Sequence, residues 1–297
     1  MDVAGTSGAD PQIWSAPATS ANLGSGFDAL ALALDLRLTV SSSDDLGARP
    51  PQGAAHMKSV TDSHPAAVAY RAAGGQRKYI AVGGPVPPGR GLGYSAAARV
   101  AGAACALAEL GNEGGHVRDQ AYEIAVTLEG HRDNAAAATY GGIVIAAEHG
   151  VIRVPFPNDL EVLVWVPVEE SSTRRSRAQL PADVPFGVAV AAVARVATLI
   201  AALASGELTN LPLARGDELH EPERFERLPA SREIQTMFHD AGAPFAYLSG
   251  SGPTVAALGS KTELEACMQR LGGVPLGELH LNPISIQGLV AELRHDL

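Results

Sequence analysis

The sequence has little cysteine, few aromatic residues and no excess of positive charge, and each shortage excludes something. Two cysteines, Cys105 and Cys267, stand far apart in 297 residues, too few for a disulfide framework or a set of thiolate metal ligands. A reduced, cytoplasmic setting is the simplest reading. Aromatics make up 5% of the chain, which argues against a stacking surface for single-stranded nucleic acid. The formal charge of −10 argues the same way, because nucleic-acid binders need a positive field. Residues 1–13, beginning MDVAGTSGADPQ, lack a basic start followed by an apolar run; they read as a disordered leader rather than a signal peptide. Long apolar runs are also scarce. The exception is FGVAVAAVARVATLIAALA, Phe186 to Ala204, which is long enough to span a bilayer. Arg195 at its middle makes insertion costly, so a buried helix and no membrane partner are expected.

What remains is ample material for a large core. Short apolar or alternating stretches predict strands at Ile13–Ala16, Ala31–Val40, Lys78–Val82, Gly142–Ala147, Leu160–Pro167 and Thr254–Leu258. Helices are predicted at Ser95–Leu110, with Ser95 as cap and Gly111 as stop, and at Arg118–Leu128, Pro185–Ser205, Ser231–Ala241 and Thr262–Leu271. The polar stretch Ser41–Gly53 reads as a loop. The change to longer helices suggests a boundary near residue 160, giving domains at 14–160 and 161–297.

The most informative segment is PPGRGLGYSAA, Pro87 to Ala97. A glycine-rich loop opening directly into a helix is an anion site, since backbone N–H groups converge on it and the helix end adds partial positive charge. It lacks the Gly-Lys-Ser/Thr ending of a P-loop and the glycine spacing of a dinucleotide fingerprint. The spacing alone leaves a phosphate cradle and a plain tight turn both open. LSGSGPT, Leu248 to Thr254, reads alone as a hairpin turn. LEGHRDNAAAATYGG carries Glu129, His131, Asp133 and Asn134, either in an exposed loop or in a site where those groups have partners. PATSANLGSGFD, Pro17 to Asp28, can grip a polar ligand or make an ordinary turn.

Together these four clusters resemble the motifs of the GHMP kinase superfamily. STRRSRAQLP (Ser172 to Pro181) and HEPER (His220 to Arg224) resemble its homoserine kinase family in particular. The similarity runs from about Trp14 to Leu258. It implies an α+β, two-domain fold, with an N-terminal phosphate-loop domain and a C-terminal ferredoxin-like antiparallel sheet with helices. It also implies ATP and Mg²⁺ as cofactors, L-homoserine as the small-molecule substrate, and a possible homodimer. By resemblance Pro88, Gly89, Arg90, Gly91, Leu92, Gly93, Tyr94, Ser95 and Ala96 would wrap the nucleotide's phosphates. Ser95 and Glu129 would hold the metal. Asn22, Asp28, Asn134, Arg177 and Arg224 would bind the substrate, the two arginines at its carboxylate. Asp133, Asn134 and His131 would act at the reacting hydroxyl. The sequence departs from the motifs at Ser25 and Arg132, where proline is usual, and at Tyr94, where serine is. It also departs in GVAVAAVAR, which lacks the polar residues relatives place before the arginine matched by Arg195. A kinase of another small alcohol, or a silent ligand-binding member, are the alternatives.

Overall fold

The computed structural model describes residues 13–44, 57–171, 173–274 and 277–292. The first twelve residues of the expected leader, the part of the expected loop beyond Asp44, and Ser172 lie outside the described residues.

In chain order the elements are β1 (Ile13–Ala21), β2 (Leu30–Ser43), β3 (Lys58–Ser59), α1 (Pro65–Ala72), β4 (Tyr79–Gly83), α2 (Tyr94–Glu109), α3 (Gly114–Glu129), α4 (Asp133–Tyr140), β5 (Ile143–Ala147), β6 (Gly150–Val154), β7 (Leu160–Pro167), α5 (Thr173–Arg177), α6 (Phe186–Ser205), a 3₁₀ segment (Leu208–Ala214), α7 (Glu221–Phe225), α8 (Pro229–Asp240), β8 (Phe245–Leu248), β9 (Val255–Ser260), α9 (Lys261–Leu271), β10 (Gly277–Pro283) and β11 (Val290–Ala291). They form two antiparallel sheets. The first has seven strands, in the order β11-β1-β2-β4-β3, with β5 and β6 extending from the other half of β2. The second has four strands, in the order β10-β7-β9-β8. This is the expected α+β architecture.

Helix α2 lies buried between the first sheet and α1, α3 and α4, with eleven of its residues inaccessible. Its alanine run explains the packing: small side chains let the helix touch neighbours on every side while losing little side-chain entropy. The small sheet is covered on both faces, and strand periodicity divides its residues between two cores. In β7, Val162 and Val164 join the large core while Leu163 and Trp165 join the second; β8 and β9 alternate likewise.

Three expectations are corrected. Ser41–Ser43 continue β2 rather than open a loop, because Ser41 and Ser43 pair with β4 and the buried Ser42 hydroxyl donates to Glu109. Ser95 does not cap α2; Gly93, in the left-handed region at φ +62°, does. Helix α6 is not a buried helix. Its buried residues are Ala192, Leu199, Ala202 and Leu203, whereas Phe186 is 85% exposed and Val193 70%. The segment is apolar all round, so no periodicity marks which face meets the core. Arg195 pairs with Glu218 at 2.8 Å instead of lying in apolar surroundings.

Candidate active site

The glycine loop forms one wall of a cavity of about 190 Å³. Gly89 through Ala96 all line it, while Pro88 is exposed and does not. Backbone conformation requires glycine at two places here. Gly91 has φ +72°, and a Cβ on it would lie 2.4 Å from the Ser249 carbonyl oxygen. A Cβ on Gly93 would lie 1.7 Å from Thr19 Oγ1. Without side chains, the loop can bring its N–H groups together at the N-terminus of α2.

The loop is pinned from both halves of the protein. Thr19 N–H donates to the Leu92 carbonyl at 3.1 Å, and Ser171 N–H to that of Gly89 at 2.8 Å. A buried hydroxyl chain completes the anchorage. Ser249 Oγ donates to the Gly91 carbonyl at 2.6 Å, so it accepts from Ser20 Oγ at 2.7 Å, which accepts from Tyr247 Oη at 2.9 Å. LSGSGPT does connect β8 to β9 as a hairpin, but its Gly250 and Ser251 also line the cavity. Arg90 spends its guanidinium on the carbonyls of Pro167, Pro88 and Val168 and on Glu170, fastening the loop to the end of β7.

Tyr94 turns its phenol to His64, with Oη 2.9 Å from Nε2 and the rings edge to face. His64 Nδ1 accepts from Ala66 N–H at the start of α1, so Nε2 carries the proton and donates to Tyr94. Burial lowers the His64 pKa, which favours this neutral form. The phenol therefore ties α2 to α1.

Beside the loop, Ser95 Oγ donates to Glu129 Oε1. Arg99, one turn along α2, reaches the same two atoms: its Nη1 donates to Ser95 Oγ at 2.5 Å and pairs with Glu129 Oε1. The arginine on Glu129 is thus Arg99, not its chain neighbour Arg132. His131 lies 3.6 Å from Glu129 Oε2 and 3.0 Å from Asp133 Oδ1. The Asp133 hydrogen bond raises its pKa against the opposing effect of burial.

A second, smaller cavity of about 20 Å³ adjoins the first and shares His131, Asn134, Gly250 and Ser251 with it. Asn22, Phe27, Asp28, Asp133, Arg177 and Arg224 complete its wall, so every residue expected at the substrate is gathered here. Three backbone positions in the segment that supplies Asn22 and Asp28 are unusual: Asn22, Leu23 and Asp28 have φ of 76°, 49° and 57°. Such conformations in non-glycine residues persist only when held by their surroundings. Asn22 is held by its Nδ2, which donates to the Gly250 carbonyl at 2.9 Å, and by its Oδ1, which accepts from Asp28 N–H at 3.2 Å. Asp133 and Asn134 open α4, a helix in a segment whose polar groups could equally have lain in an exposed loop. Asp133 Oδ1 accepts from Asn134 N–H at 2.7 Å, and Asn134 Oδ1 accepts from Thr19 at 2.6 Å.

The two arginines differ. Arg177 forms a two-pronged pair with Asp28 at 2.8 and 2.5 Å and is 40% exposed. Arg224 is 4% exposed; its Nη1 contacts the Gly250 carbonyl at 2.7 Å and His220 Nδ1 at 2.9 Å, and its Nε is buried without a partner. Burial, and then the neighbouring Arg177 charge, pull its pKa down to about 10, so it remains a cation at neutral pH. Both guanidiniums sit 5.4 Å from the centre of the Phe27 ring. His220 donates through Nε2 to the Gly24 carbonyl at 3.0 Å and accepts at Nδ1 from Arg224. Burial lowers its pKa to about 4 and keeps it neutral.

Sequence reasoning assigned no role to Arg99, His64, Phe27, His220, Tyr247 or Ser249. For Arg99 a signal existed, since a residue four after Ser95 on a helix shares its face. Phe27, Ser249 and His220 lie inside the quoted motifs, the last four residues before Arg224, whereas His64 and Tyr247 come from segments that carry no such mark.

A glycine loop at a helix N-terminus, two oxygen-bearing side chains beside it and an adjoining pocket with two arginines fit a small-molecule kinase of the GHMP class. Family models agree: GHMP kinases N terminal domain matches residues 62–142, and GHMP kinases C terminal matches residues 198–273. A homoserine kinase of Thermus thermophilus is 40% identical over 250 residues, covering 82% of this chain and 85% of the relative. One of Lactiplantibacillus plantarum is 35% identical over 288 residues, covering 93% and 97%. The crystal structure of homoserine kinase from Cytophaga hutchinsonii superimposes with a TM-score of 0.77 at 26% identity, covering 98% of this chain and all of that one. This chain belongs to the homoserine kinase family of GHMP kinases.

Proposed function

We propose that the protein transfers the γ-phosphoryl group of ATP to the side-chain hydroxyl of L-homoserine, giving O-phospho-L-homoserine and ADP. The observation that carries this reading is Arg224: a buried cation with an unpartnered Nε beside the phosphate cradle calls for an anionic ligand. A planar guanidinium matches a carboxylate, and Arg177 stands across Phe27 to take its other side. Asp28 offers a carboxylate for the substrate's ammonium group. Without substrate, Asp28 and Arg177 neutralise one another. A cavity of about 20 Å³ has room for about one water molecule, so the substrate enters by parting that pair and taking one charge from each side.

The substrate's third group, its hydroxyl, then faces Asp133 and Asn134 at the border with the larger cavity. Its oxygen bonds to the γ-phosphorus as the bond to the β-phosphate bridge breaks, and its proton leaves to a phosphate oxygen or to Asp133. His131 lies beside the transferring group, hydrogen-bonded to Asp133. Positioning and charge stabilisation account for most of such catalysis. Ser95 and Glu129 suit Mg²⁺: both are oxygen donors, they touch one another, and both line the cradle. With phosphates supplying further oxygens, two protein ligands are enough. The ion would neutralise charge on the phosphate oxygens. The buried free thiols Cys105 and Cys267 support a cytoplasmic setting.

The test is ADP release by the purified protein with ATP, Mg²⁺ and L-homoserine, set against mevalonate and galactose under the same conditions. No turnover of homoserine, or equal turnover of all three, would refute the assignment.

A further inference from the structure

The position assigned to the metal already holds a cation. Arg99 Nη1 touches both atoms proposed as protein ligands, Ser95 Oγ at 2.5 Å and Glu129 Oε1. Arg99 does not line the cavity, so it reaches these atoms from the helix side. A divalent ion on Glu129 Oε1 would meet a guanidinium bonded to the same oxygen, and like charges at that range repel strongly in a partly buried setting. Arg99 is free enough to leave. Its side chain is 19% exposed, and its buried Nε has no hydrogen-bond partner, so the terminal Nη1 contacts are what hold the head in place.

We propose that Arg99 is a resident counter-cation: it occupies Ser95 and Glu129 when nucleotide is absent, and withdraws when a divalent ion arrives with the phosphates. This rests on the assignment of Ser95 and Glu129 as the metal's protein ligands. It gives the helix a regulatory function, since free divalent ion is refused and the metal enters as part of the nucleotide complex. The phosphates supply the negative charge that makes displacement of Arg99 favourable.

The experiment titrates Mn²⁺ into nucleotide-free protein and follows bound ion by electron paramagnetic resonance. Wild type is expected to bind weakly, Arg99→Met about tenfold tighter or more, and Arg99→Lys, which keeps the charge, within about threefold of wild type. Adding Glu129→Gln to Arg99→Met should abolish the gain. Thermal melting gives an independent readout. In chelator, Arg99→Met should melt below wild type, because Glu129 has lost its partner, and Mn²⁺ should restore it while leaving wild type unmoved. Should Arg99→Met fail to fold, Arg99→Gln keeps a donor for Glu129 without the charge and carries the same test. Unchanged or weaker Mn²⁺ binding in the neutral variants would overturn the proposal. Failure of the underlying assignment looks different: Glu129→Gln in the wild-type background would leave Mn²⁺ affinity in the ATP complex unaltered.

Discussion

Arg224→Ala is the most demanding single test of the substrate pocket. The guanidinium is 4% exposed, its Nη1 bonds to the Gly250 carbonyl and His220, and its Nε is free. Truncating one member of a buried, hydrogen-bonded charge pair costs about 2–5 kcal/mol, equivalent to about 30-fold to about 5,000-fold in an equilibrium or rate constant. Arg177 remains to contact the carboxylate, so a loss near about 100-fold in kcat/KM for homoserine is expected, mostly in KM. Structural damage must be separated from lost recognition. Gly250 keeps the Asn22 donor at 2.9 Å, but His220 Nδ1 loses its partner, so some loss of stability will accompany the change. The control is 3-aminopropan-1-ol, which is homoserine without its carboxylate. Measured by coupled ADP release, it should be a poor substrate for wild type and scarcely poorer for the variant. If Arg224→Ala lowered kcat/KM equally for both compounds, or for neither, the carboxylate-binding role would be wrong.

Other expectations follow from the same geometry. Gly93→Ala places a Cβ on Thr19 Oγ1 at a φ of +62° and should weaken ATP binding at least about tenfold by calorimetry, with a stability loss of about 1–3 kcal/mol. Tyr94→Phe removes the bond to His64 and should cost about 0.5–1.5 kcal/mol in urea unfolding while sparing turnover. A loss of activity without a loss of stability would instead put the phenol on the nucleotide. His131 has a raised folded pKa, so the stability it supplies is full below its unfolded value near about 6.5 and disappears as pH rises through the folded value. His131→Gln should remove that alkaline decline, and an NMR titration midpoint at or below about 6.5 would contradict the reasoning. His220 is the reverse case. With its folded pKa at about 4, its contribution is present above about 6.5 and lost as pH falls toward the folded value, visible as falling urea midpoints over that window.

Local patterns in the chain reached far. Helices α2, α8 and α9 and strands β1, β4, β5 and β7 follow from periodicity and from glycine and proline punctuation, with ends displaced by a few residues. Helix α4 was less legible, because a short alanine run has no face until β1, β5 and α2 enclose it. The exposure of α6 was illegible for a related reason: apolar composition says that a segment can be buried, not that the core has room for all of it.

The sequence by itself determined which residues to gather. Its motifs, through their family resemblance, single out the glycine loop, the two arginines and the carboxylates, because residue types and order are local properties of the chain. Only the tertiary structure decided their charge pairing. Arg177 is spent on Asp28, Arg224 is left with an open Nε, and Arg99 rather than Arg132 stands on Glu129. Electrostatic partnership depends on distances of a few ångströms between segments far apart in the chain, and those distances are fixed only when the two sheets close on a common core.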